Sequence, residues 1–241
     1  MADDLLLLGT KIELRRSAGR ILEEMDESPS YVSQVLDRDE EDNVMIAMPI
    51  SEGHIIPLEV GSVLWAYFYT NKGIYRSRCK IISRGKEGNI FVAGITLLGE
   101  LEKFQRREYY RLNCLIDVDV TVLNGQEVIQ YSEKQEFDGE LSGHKTQGVI
   151  VDISGGGLRF ISDEKYEKNT YVFLTFKVPF LGGGIREFNI LGRVVLSLNA
   201  DNELSRYDNR VQFKVISKEV REDLIKFIFD EQRRMRKKER G

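Results

Sequence analysis

Apolar and polar residues alternate along most of this chain, and the alternation is cut into short runs. From Thr10 to Leu98 the runs are TKIEL, YVSQVL, NVMIAMP, VLWAYFYT, GIYRSRCKIIS and NIFVAGITLL, separated by polar, Gly- or Pro-containing stretches. Period-two patterning at this spacing predicts six short strands, a number that suits a small barrel. Residues 1–9 fit either a short helix or a packed arm. Two connections, Glu23 to Ser30 and Asp37 to Asn43, are acidic and turn-prone. Trp65, Tyr67 and Tyr69 fall on one side of their strand. The simplest reading is a packed or half-buried stripe, with a partner surface as the alternative.

A second series begins at Arg111. Its even positions Leu112, Cys114, Ile116, Val118, Val120 and Val122 form an apolar face, so Arg111, Asn113, Asp117 and Asp119 project away from that core. Gly148 to Ile153 reads as a strand with Asp152 and Ser154 facing one way and Val151 and Ile153 the other. Strands are also predicted at Leu158 to Ser162, Thr170 to Val178, Arg186 to Leu198 and Arg206 to Ile216, which with the first make six, enough to close a barrel. The polar, glycine-containing stretch Asn124 to Gln147 reads as a hairpin with an extended loop. Leu181 to Gly184 reads as a hairpin connection, because it lacks the GK[ST] of a phosphate-binding loop. After Ser217 the period changes to 3.6. Ser217 can cap a helix whose buried stripe is Val220, Leu224, Phe227 and Ile228, with acidic residues at its start and arginines at its end.

Composition narrows the function classes. A chain of 241 residues, 41% of them hydrophobic, can build two ordinary domains with real cores. A formal net charge of −4 argues against a general nucleic-acid binder, so any anion site must be local. Cys79 and Cys114 stand in separate runs without a CxxC, as small core hydrophobes in a reducing compartment. No apolar run approaches the roughly 18 residues of a membrane span, and DLLLLG is too short for a signal-peptide core, so a cytoplasmic protein that does not span a membrane is expected. His54 and His144 occur singly, Ser154 lacks a GxSxG elbow, and no carboxylates form an acid/base pair. The reading is therefore no metal site, no catalytic residues and no enzyme.

Between the two halves lies FQRREYYR, Phe104 to Arg111, where Arg106, Arg107 and Arg111 stand beside Tyr109 and Tyr110. Guanidinium groups fork onto phosphate oxygens or a guanine edge, or stack on a base. Arg107 and Arg111 are four apart and share a side in either a helical or an extended segment, so they can act as one clamp. Downstream, Asp152-Ile153-Ser154-Gly155-Gly156-Gly157 ends a strand in glycines that permit a sharp turn and close approach of a ligand. Alone, the first stretch is as readily a charged linker, and the second a tight turn with Asp152 bonded to local backbone.

In order, and bracketing a strand, RxxxR and DxSxxG are the motif pair of the PilZ domain. The chain resembles that family over nearly its whole length. The likeness is to the flagellar-brake type (YcgR-like and YpfA-like), in which a smaller β domain precedes the PilZ domain. The resemblance implies a mainly β protein with two small barrels in tandem: a YcgR-like barrel over 1–102, a linker carrying RxxxR over 103–111, and over 112–241 a six-stranded antiparallel PilZ barrel with a C-terminal helix and basic tail.

The ligand it implies is cyclic diguanylate (cyclic-di-GMP). Arg107 and Arg111 would take phosphate oxygens or the guanine O6/N7 edge, and Asp152 would accept from guanine N1 and N2. Ser154 would offer a hydroxyl, and Gly156 and Gly157 clearance. Arg106 fills the place before RxxxR that the family associates with an intercalated pair, so two ligands per chain are expected. The implied function is a non-enzymatic receptor that changes its domain arrangement on binding. It would act on a flagellar motor protein, stator or switch, to restrain motility, with recruitment to the flagellar basal body. No DNA or RNA partner is expected: the competing reading, an oligonucleotide-binding small barrel, is disfavoured by the acidic balance and the lack of an aromatic RNP-type strand. Six basic residues from Arg233 to Arg240 are either a solvated end or a contact for an acidic partner.

Overall fold

The computed structural model describes residues 6–16, 30–39, 43–51, 53–137, 139–180, 184–200 and 206–239. The chain forms two compact units, Met1–Arg106 and Arg107–Gly241. Most of the first acidic connection, the tip of the second, residues 181–183 and the last basic residue, Arg240, lie outside the described residues.

The first unit holds β1 (Lys11–Arg16), β2 (Ser30–Arg38), β3 (Val44–Ala47), β4 (Ile50–Ser51), β5 (His54–Ile55), β6 (Val63–Thr70), β7 (Gly73–Glu87), β8 (Ile90–Leu97) and β9 (Glu102–Phe104). Antiparallel pairing runs β6-β1-β2-β3-β8-β7, and β7 pairs back onto β6, so six strands close a ring. The 15-residue β7 makes this possible. One of its edges pairs with β6, and the other pairs first with β9 and then with β8. The hairpin β4–β5 stands apart from this sheet. Alternation along β6 sends Leu64, Ala66 and Phe68 into the core with Ile12, Leu14 and Ile81.

The other side of β6 carries the aromatic stripe, buried at Tyr67 and half-buried at Trp65 and Tyr69. Cations cover it. The Arg76 guanidinium lies 5.0 Å from the Trp65 ring centroid and 4.8 Å from that of Phe104, and Arg15 lies 5.6 Å from that of Tyr67. Phe104 also meets Tyr67 edge-on at 5.1 Å, so side chains as well as backbone pin β9 to the barrel.

The second unit holds β10 (Arg111–Val122), α1 (Gly125–Lys134), β11 (Lys145–Ser154), β12 (Gly157–Ser162), β13 (Tyr171–Phe180), β14 (Gly184–Asn199), β15 (Tyr207–Val215) and α2 (Lys218–Glu239). Its strands close a six-stranded antiparallel barrel in the order β10-β11-β12-β15-β14-β13. Val118, Ile150, Phe160 and Phe188 fill the barrel, and Leu224, Phe227 and Ile228 of α2 join the same core. The Ser217 hydroxyl caps α2 by accepting from the Val220 N–H at 3.2 Å. No helix among the described residues is long and apolar enough to cross a membrane.

Two local expectations fail. Asn124 to Gln147 is not simply a hairpin with an extended loop, because it contains α1. The Asn124 side chain accepts from the N–H groups of Gln126 and Glu127, and the Glu127 carboxylate accepts from the Asn124 N–H, which completes a capping box. Tyr131 then packs on Phe137 and Phe173, with ring centroids 5.0 and 5.1 Å away, in a small separate core with Leu123 and Leu191. In β11, Val151 does not share the inward face with Ile153. The register shifts between Ile150 and Asp152, so Val151 bulges out of the alternation, and Ile150 and Ile153, three apart, both enter the core.

Candidate functional site

Strand register assembles the site on the outer face of the second barrel. Arg111 opens β10 opposite Ser154, and Asn113 stands opposite Asp152. Asp152 in turn faces Arg159 on β12, and Arg159 faces Arg210 on β15. A polar row therefore crosses four strands. Both flanking arginines approach the same oxygen of Asp152: Arg159 Nε lies 3.5 Å and Arg111 Nη1 3.9 Å from Oδ2. Arg159 is held more firmly from its other side, donating from Nη1 to Asp208 Oδ2 at 2.9 Å. That hydrogen bond, with the charges of Asp208 and Asp152, raises the Arg159 pKa further and fixes its positive charge.

The glycines sit where side chains would collide. Ser154 pairs with Gly157 across a two-residue turn. The Ser154 hydroxyl donates to the Gly157 carbonyl at 3.0 Å and accepts from the Gly156 N–H at 3.4 Å, so it braces the turn from a buried position. None of the three glycines takes a left-handed φ. Their requirement is space: a Cβ on Gly155 would lie 2.5 Å from the Tyr109 ring, and one on Gly156 3.3 Å from it. At Gly157 the obstacle is the Val211 carbonyl oxygen, 2.3 Å from where a Cβ would stand, so this clearance serves the close approach of β15.

Tyr109 is the residue whose role the sequence hid. Its ring covers Gly155 and Gly156, and its hydroxyl accepts from Arg221 Nη1 of α2 at 2.8 Å. The segment just before β10 is thus tied to both the glycine turn and the helix. The visible signal was an aromatic inside RxxxR facing a glycine run. Arg159 was also missed, although period two from Gly157 places it on the outer face. Cys114 is inert, its thiol pushed up to about 12 by burial and the negative charges of Asp152 and Glu231.

Of the arginines expected at the site, the second unit brings Arg111 to Asp152 and the glycine turn, and the exposed Arg107 lies upstream in the same unit. Arg106 belongs to the first unit, where its Nη1 donates to the Tyr69 hydroxyl oxygen at 3.2 Å. No group of His, Cys, Asp and Glu among the described residues could hold a metal ion.

Two family models match the chain. Residues 8–93 match PilZNR, described as flagellar protein YcgR, and residues 105–230 match the PilZ domain. Among solved structures, the Bacillus subtilis inhibitor of motility (MotI/DgrA) superposes with a TM-score of 0.69 at 16% identity, covering 94% of this chain and 97% of that one. YcgR from Escherichia coli, in complex with c-di-GMP, aligns with a TM-score of 0.47 at 13% identity over 98% of this chain and 89% of its own. A search of curated proteins finds no match.

Proposed function

The chain belongs to the PilZ domain family, and from that premise we propose that it is a non-enzymatic receptor for cyclic diguanylate. The observation that carries this reading is the row Arg111–Asp152–Arg159 beside a glycine turn. Arg111 and Arg107 supply forks for phosphate oxygens or a guanine O6/N7 edge. Both arginines near Asp152 sit on Oδ2, which leaves Oδ1 for the N1–H and N2–H donors of guanine. Gly156, with no side chain, lets a planar group lie against the turn as the Tyr109 ring does, while Ser154 and Gly157 hold its shape.

The functional division we propose is 1–102 as a YcgR-like domain, 103–111 as the linker, and 112–241 as the PilZ domain. Arg106 serves a second, intercalated ligand, giving two per chain. Its guanidinium offsets the added phosphates and stacks on the outermost base. Because the clamp lies in the linker, binding orders the segment that sets the domain arrangement, and it biases that arrangement by the ligand's differential affinity for each state. The match of residues 8–93 to the flagellar protein YcgR model supports a flagellar motor protein as partner, restraint of motility as outcome, and a cytoplasmic protein recruited to the basal body.

Calorimetry tests the core of this reading. Arg107→Ala and Arg111→Ala should each weaken cyclic diguanylate binding more than tenfold, or about 1.5–3 kcal/mol for a charge-assisted contact. Wild-type affinity in both variants would sink it. Single-stranded RNA in the same cell should give no heat.

A further inference from the structure

Glu13, on β1, is only 7% exposed although it points out of the first barrel, and its carboxylate is fully engaged. Oε1 accepts from Arg15 Nε at 2.8 Å and Nη2 at 2.5 Å, and Oε2 accepts from the Tyr69 hydroxyl at 2.5 Å. A tyrosine has one proton to give, and Tyr69 gives it to Glu13, so toward Arg106 its oxygen is an acceptor only. Arg106 Nη1 takes that position at 3.2 Å. Hydrogen bonds in a chain polarise one another, so a phenol that donates to a carboxylate becomes a better acceptor for a cation. The sequence Arg106 to Tyr69 to Glu13 is therefore a directed relay, closed at its far end by Arg15.

The backbone delivers Arg106 to this relay. Glu102–Phe104 pairs with Ile74–Arg76, and Phe104 is pinned by Tyr67 and Arg76, so the chain is fixed two residues before Arg106. Lys11, 5.3 Å from the Tyr69 ring centroid, holds the ring from another side. The relay is thus a built feature of the first barrel, and its outermost member is an arginine of the ligand motif.

We propose that Tyr69 and Glu13 are positioning residues that set the affinity for cyclic diguanylate by holding Arg106 in the ligand-free chain. The inference rests on Arg106 being a ligand arginine. A guanidinium that moves onto a base face and a phosphate gives up the place beside Tyr69 that its Nη1 now holds, so the two occupations compete. A contact made only in the unliganded state lowers the apparent affinity, and removing it raises that affinity.

Tyr69→Phe deletes the single oxygen while leaving Arg15 on Glu13 and the ring in place. By calorimetry on the full chain, this variant should bind cyclic diguanylate roughly threefold to tenfold tighter than wild type, the range of one ordinary net hydrogen bond, since exposure to water offsets the gain from the donor's charge. In an Arg106→Ala background the same substitution should change nothing, which assigns the effect to the pair. Glu13→Gln, a second variant of similar volume, should raise affinity by a smaller factor because a neutral acceptor polarises Tyr69 less. Unchanged or weaker binding in both single variants overturns the inference and leaves the receptor reading standing. Absence of binding by the wild type overturns the receptor reading and the inference with it.

Discussion

The two barrels each carry an outward carboxylate among arginines, Glu13 and Asp152, in opposite conditions. On the first, Glu13 is buried with both oxygens hydrogen-bonded, and the aromatic stripe of β6 lies under Lys11, Arg15 and Arg76. On the second, Asp152 has its arginines at 3.5 and 3.9 Å, longer than a good hydrogen bond, and the Arg111 side chain is 50% exposed. Both faces are rich in arginine and carboxylate. A saturated carboxylate serves the fold, whereas one paired at longer range, through a single oxygen, retains capacity for a new donor. Unused hydrogen-bonding capacity, rather than charge density, distinguishes the candidate ligand face we propose.

The contrast makes its largest prediction for paired substitutions. Glu13→Ala strips acceptors from Arg15 and Tyr69 and should lower unfolding stability by about 1–3 kcal/mol. Asp152→Ala should change it by no more than about 0.5 kcal/mol, because Arg159 keeps Asp208. The same Asp152 variant should lose discrimination between cyclic diguanylate and its di-adenylate analogue. Equal stability losses in urea titrations would erase the distinction. Next in size is Asn124→Ala, which removes the α1 cap and should cost about 1 kcal/mol in the same titrations; no loss would mean that packing of Tyr131 alone holds the helix.

The smallest effect is one of pH. Burial pushes the Glu13 pKa up, but the hydrogen bond from Tyr69 and the bonds and charges of Arg15 and Arg106 outweigh it, so the folded value lies below the ordinary one. The stabilisation from this group is then present above about pH 4.3, the ordinary glutamate value, and is lost as pH falls through the lower folded value. The stability gap between wild type and Glu13→Gln should shrink over that acidic range. A gap that stays constant would show that Glu13 does not titrate with the fold.

Most strands of both barrels were legible because each alternates cleanly against one core, as β6 does with Leu64, Ala66 and Phe68. Helix α2 was legible for the same reason at the other period. Helix α1 was not: it is ten residues long, and its apolar face is reduced to Val128 and Tyr131, too short a stripe to stand out from a polar stretch. The spacing Asn124–Glu127 of a capping box was the available signal. The bulge at Val151 was hidden because nothing local distinguishes a bulged valine from a paired one. At the site, Arg111, Asp152 and the glycines were read from residue type and spacing. Tyr109, Arg159 and the Glu13–Tyr69 relay were not, because each owes its role to a partner distant in sequence, Arg221, Asp208 or Arg106. Strand β9 is likewise set by distant partners: Lys103 and Phe104, the first two residues of the stretch 103–111, pair with Tyr75 and Ile74 of β7.

The stacking of Arg76 between Trp65 and Phe104 also gives the protein an optical property. The chain contains a single tryptophan, so all of its indole emission comes from Trp65. A guanidinium 5.0 Å from that ring perturbs the excited state, and the same guanidinium is shared with Phe104 of β9. Undocking of β9 would release Arg76 and change the colour and yield of the emission. The molecule therefore contains an intrinsic fluorophore that reports, without any attached dye, whether the start of its linker is seated.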